Sequence, residues 1–138
     1  MDFVTFDIAK KLKEKGFKLA CIGHYEGDRF EYNTYDGYDI NISYIARSYN
    51  DDDRFVEYTD VPVICQVLKW LREEKKIFIE IALSPDGYQH IIYTGLYCMA
   101  TSCAYHFTFD GFYRIEDNYI TYEQAAIAGI EYVVNNLI

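Results

Sequence analysis

A chain of 138 residues has the length of one domain and can bury a single hydrophobic core. With 51% hydrophobic and 25% charged residues it reads as globular rather than disordered. Its formal net charge of -9 lacks the basic footprint of a nucleic-acid or anionic-membrane binder, so neither is expected as a partner.

The longest apolar runs fall far short of the roughly 20 residues that span a bilayer. The opening MDFVTFDIAKKLKEKGF lacks the basic-then-apolar order of a signal peptide, so a cytoplasmic location is expected. Cys21, Cys65, Cys98 and Cys103 are then expected to be reduced thiols.

In chain order, TFDIAKKLKEKGF (5–17) predicts a helix. Thr5 is placed to cap it, Asp7 complements its positive end, and Ile8 and Leu12 share a face. Gly16 ends it, with Leu12 and Phe17 as the apolar pair of a Schellman motif. LACIGHY, RFEY, INISYIA and FVEY then read as short strands between turn-forming runs.

DVPVICQVLKWLREEKK predicts a second helix, with Asp60 as cap and Pro62 in the first turn. Ile64, Val67, Leu68 and Leu71 form its buried stripe, and Cys65 and Trp70 stand at the margins. IFIEIAL alternates, with Ile77, Ile79, Ile81 and Leu83 on one face and Phe78, Glu80 and Ala82 on the other. SPDG predicts a hairpin to YQHIIY, and Asp110-Gly111 predicts another between AYHFTF and FYRI.

TYEQAAIAGIEYVVNNLI is the final helix. A capping box from Thr121 to Gln124 is expected, with Ile120 stapled over Ala125. Helices interspersed with hairpins predict a single α+β domain over 1–138, an antiparallel sheet of short strands with about three helices on one face.

Three stretches, TFDIAKKLKEKGF, QVLKWLREEKKIFIEIALSPDGYQHIIY and the final helix, together resemble a group of small proteins of gut Bacteroides, their mobile elements and their phages. The matching positions include Gly16, Phe17, Trp70, Leu71, Ile79, Glu80, Thr121 and Glu123. The tyrosine-rich 20–60 and cysteine-containing 95–118 segments depart from that pattern, and Val63 stands where the group carries Ser or Thr. No activity attaches to the group, so the resemblance implies an accessory protein and transfers no catalytic residue.

Two stretches carry chemistry. His90, Cys98, Cys103 and His106 have the residue types of a zinc site, but Cys-x4-Cys-x2-His is not a standard knuckle spacing. The same run could hold a Cys nucleophile with a His base, yet no orienting group or oxyanion hole is legible. Core filling is the expectation there, with no cofactor and no catalytic residue. A metal-binding protein or thiol enzyme is the alternative.

Residues 25–60 hold ten carboxylates against three arginines, together with seven tyrosines. Tyrosine gives rigid amphipathic contact area, and acidic loops steer basic partners. The expected role is therefore a non-catalytic accessory protein that binds a basic protein surface, with Tyr35, Asp36, Tyr38 and Asp39 at its centre. Small residues at 125, 126, 128 and 129 add homo-oligomerisation through the C-terminal helix as an expectation.

Overall fold

The computed structural model describes residues 2–26, 29–32, 58–95, 97–100, 105–114 and 117–138. Three helices and antiparallel strands make an α+β fold, as expected. The strands β1 (Gly23–Glu26), β2 (Arg29–Tyr32), β3 (Tyr58–Val61), β4 (Phe78–Ser84), β5 (Gly87–Thr94), β6 (Tyr97–Ala100), β7 (Tyr105–Thr108) and β8 (Gly111–Arg114) are divided among a sheet of order β2-β1-β3, a sheet of order β4-β5-β8 and a two-stranded β6-β7 ribbon. The chain forms two compact units, Met1–Val63 and Ile64–Ile138.

In the first unit, α1 (Phe6–Glu14) packs on β3 (Tyr58–Val61), which pairs with β1 (Gly23–Glu26) beside β2 (Arg29–Tyr32). Thr5 caps α1, its hydroxyl accepting from the Ile8 N–H at 3.4 Å. Ile8, Ala9 and Leu12 are its buried face.

The predicted Schellman ending is present. The Phe17 N–H donates to the Leu12 carbonyl at 2.9 Å, and the Gly16 N–H to that of Lys13 at 3.1 Å. Gly16 has φ 93°, and nothing lies within 4 Å of where its Cβ would stand. Gly16→Ala is therefore expected to cost about 1 kcal/mol through the left-handed backbone alone. A urea midpoint lowered at unchanged slope would show it, and an unmoved midpoint would contradict it.

The second helix starts later than the sequence suggested. Asp60 does not cap it but lies in β3 opposite His24, where the neighbouring Thr59 and Val61 are buried. Pairing with β1 wins over capping, and Pro62, without an N–H, ends the strand. Of the expected strand FVEY, Tyr58 falls in β3, while residues 55–57 and INISYIA lie outside the described residues.

The second unit opens with α2 (Ile64–Glu74), whose buried residues are Ile64, Val67, Trp70 and Leu71. Trp70 belongs to the core rather than to its margin, with the Lys75 ammonium 5.1 Å from its ring centre. Lys76 turns the chain out of α2 in a left-handed conformation, φ 58°, that the sequence did not announce.

β4 (Phe78–Ser84) and β5 (Gly87–Thr94) form the predicted hairpin through Pro85-Asp86, with Gly87 at φ 135°. The second predicted hairpin is not formed. β7 (Tyr105–Thr108) pairs with β6 (Tyr97–Ala100), and β8 (Gly111–Arg114) returns to pair with β5. The Asp110 N–H donates to the Thr94 carbonyl at 2.8 Å, so the Asp-Gly step joins the β6-β7 excursion to β5.

α3 (Tyr122–Asn136) covers β4 and β5 with Ala125, Ala126, Gly129, Ile130, Val133 and Val134. The small residues at 125, 126 and 129 thus let α3 approach this unit's own sheet closely. Thr121 caps α3, accepting from the Gln124 N–H at 3.1 Å, while the Gln124 side chain accepts from the Ile120 N–H at 3.2 Å. The expected staple is absent because Ile120 is 87% exposed.

Candidate functional site

The pleat gives the β4-β5-β8 sheet two unlike faces. Ile79, His90 and Ile92 are buried on the side that carries α3. On the other side Phe78, Tyr93 and Phe112 stand in one cross-strand row, because Phe78 pairs with Tyr93 and Tyr93 with Phe112. Glu80, Ile91 and Arg114 form the next row.

Tyr93 is the centre of the open face. Its ring lies 6.1 Å from Phe78, 5.5 Å from Phe112 and 4.8 Å from Phe109, centre to centre. Its hydroxyl donates to Glu80 Oε2 at 2.8 Å. That bond holds the Tyr93 phenol above its ordinary value, with burial and the Glu80 charge adding to it. Each aromatic pair in such a row adds roughly 0.5–1.5 kcal/mol beyond its buried area.

The aromatic row is wet, with Phe112 53%, Phe109 51% and Phe78 36% exposed. A polar margin adjoins it. Arg114 donates to Gln89 Oε1 at 3.2 Å, and Gln89 Nε2 donates to Asn118 Oδ1 at 2.8 Å. Exposed rings gathered beside polar residues set this face apart from a surface with singly scattered apolar side chains.

Tyr35, Asp36, Tyr38, Asp39 and Cys103 lie outside the described residues. Cys98 is in β6 opposite Phe107, and His106 is in β7 opposite Met99, so the two occupy adjacent rungs rather than facing each other.

His90 is 1% exposed beneath α3, and its ring stacks on Tyr119 at 5.7 Å. Neither ring nitrogen has a hydrogen-bond partner. Burial holds the imidazole below its ordinary value, against the opposing pull of the Asp117 charge; the Ala125 backbone lies near the ring but not in hydrogen-bond geometry. Among the described residues, no three His, Cys, Asp or Glu side chains gather as a metal site would need.

Three such residues of the first unit, Cys21, His24 and Asp60, influence one another without gathering in that way. His24 pairs across β1 and β3 with Asp60, and Asp60 acts on the charge of Cys21. Burial first, and Asp60 second, push the Cys21 thiol up to about 12, and its sulfur donates to the Leu19 carbonyl at 3.3 Å. Burial also raises the Asp60 carboxyl, with His24 and Lys13 pulling the other way. A nucleophile needs the thiolate, which this site opposes, so Cys21 is a packed thiol. Cys21-x2-His24 is visible in the sequence, whereas Asp60 joins only through strand pairing.

The sequence marked Phe78 and Glu80 as sharing a face but missed the row. Assigning β8 to a hairpin with β7 hid the pairing that sets Phe112 beside Tyr93. The site thus belongs to the class of open, aromatic sheet faces on an α+β unit. Comparison with protein-family models, curated proteins and solved structures finds no match. No helix among the described residues is long and apolar enough to cross a membrane.

Proposed function

We propose that this chain is a non-catalytic binding protein that takes a basic protein surface on the open face of the β4-β5-β8 sheet. The observation that carries the reading is the row Phe78–Tyr93–Phe112, exposed at its two ends, with the Glu80 carboxylate bonded to the half-buried Tyr93. Arg and Lys side chains stack over such rings and pair with such a carboxylate, together worth roughly 1–2 kcal/mol per desolvated contact. The net charge of -9, concentrated in residues 25–60, steers basic partners to the chain.

Titration with an arginine-rich peptide, followed by backbone and aromatic NMR shifts, tests this. The largest shifts are expected at Phe78, Glu80, Tyr93 and Phe112, with none from a glutamate-rich peptide of equal length. Phe78→Ala with Phe112→Ala should abolish the response while unfolding stays cooperative. Shifts scattered over every carboxylate would reduce the reading to nonspecific charge attraction. Tyr35→Ala with Tyr38→Ala separately tests whether the Tyr/Asp-rich segment contributes contacts of its own.

A further inference from the structure

Among the described residues β4 is an edge strand, first in the order β4-β5-β8. In a two-residue hairpin the pair flanking the loop exchanges hydrogen bonds, and bonded pairs then alternate along the strand. With Ser84 opposite Gly87, the residues bonded to β5 are Ser84, Ala82, Glu80 and Phe78. Ile79, Ile81 and Leu83 therefore direct their N–H and C=O groups away from β5, and among the described residues no hydrogen bond outside the hairpin takes them up.

Edges are ordinarily blunted by lysine, proline, a bulge or shortness. FIEIALS has seven residues, regular register and a single charge. A cleft of about 310 Å³ runs along residues Phe78–Ile81, bounded by Leu68 and Arg72 of α2. Leu83, on the same side of the strand as Ile79 and Ile81, is left 73% exposed.

We propose that β4 pairs antiparallel with β4 of a second copy of this chain, about a two-fold axis at Ile81. The edge is self-complementary in this register. Ile81 faces Ile81, and Ile79 faces the second copy's Leu83, giving that exposed side chain an apolar neighbour. About six N–H···O=C bonds form. Glu80 faces the second copy's Ala82, whereas an axis at Glu80 would oppose two carboxylates. The contact is isologous and closed, and it joins two three-stranded sheets into one.

The test uses the untagged full chain, with light-scattering mass measured from low to high concentration. A mass rising to twice that of the chain is expected. Leu83→Lys, at a position already exposed, should raise the dimer dissociation constant roughly tenfold or more while leaving in place the unfolding midpoint measured at concentrations where the chain is monomeric. Oxidised Ile81→Cys should cross-link above the wild-type background, because facing Cα atoms about 5.5 Å apart lie within disulfide reach. Ile79→Cys should not, since its opposite number is Leu83.

A monomer mass throughout overturns the proposal. So does a dimer indifferent to Leu83→Lys, or one that cross-links at 79 and not at 81. Response to the arginine-rich peptide should survive Leu83→Lys, so failure here is distinguishable from failure of the open-face reading.

Discussion

Gly129→Val is expected to destabilise the second unit by about 2–3 kcal/mol, lowering its unfolding temperature by roughly 10 °C. A Cβ at Gly129 would stand 3.0 Å from Ile79 Cγ2, 3.3 Å from His90 Cγ and 3.4 Å from His90 Cβ. Both neighbours are buried, and the His90 ring is backed by Tyr119, so neither yields without disturbing the sheet. Valine adds two further methyl groups at that point and brings a β-branched residue into α3.

Gly129→Ala sets the scale. A single Cβ gains about 1 kcal/mol of helix propensity and must be accommodated by shifts of a few tenths of an ångström, so a near-zero change is expected. Trp70, the only tryptophan, is 6% exposed in the same unit and reports its unfolding by fluorescence. A Val variant as stable as the Ala variant would mean that α3 and the sheet do not approach this closely.

What the sequence made legible was local. Thr5, Gly16, Thr121 and the Pro85-Asp86 turn act through neighbours within a few residues, so their roles follow from spacing alone. What it concealed was competition between distant partners. Asp60 is as good a cap as any aspartate until β1 claims it for a strand. Asp110-Gly111 is a sound hairpin signal until β8 finds β5 instead of β7.

Both misreadings have one cause. Turn and cap propensities are each worth about 1 kcal/mol, and burial of a strand on its sheet outweighs them. The candidate site inherits that limit. Alternation in IFIEIAL already separated Phe78 and Glu80 from the core face, but a cross-strand row exists only once register is known.

His90 makes the unit sensitive to acid, and stability is expected to fall as pH drops from neutral to about 5. The unfolded imidazole takes up its proton near 6.5, while burial holds the folded one below that value. Above the unfolded pKa both states are neutral and stability is level. Below it the unfolded state binds more protons, and stability declines until pH reaches the folded pKa. Each unit of separation is worth about 1.4 kcal/mol.

His90→Leu should abolish that decline. At neutral pH it should leave the unit as stable or more so by about 1 kcal/mol, because two unpartnered ring nitrogens are removed while the loss of the Tyr119 stack offsets part of the gain. Asp60 responds with the opposite sign: its raised carboxyl takes a proton more readily in the folded state, so acidification favours folding there. Asp60 is common to both proteins, and the difference between their Trp70-monitored urea curves over a pH series isolates His90. Parallel curves would mean that His90 finds a partner for its proton in the folded chain.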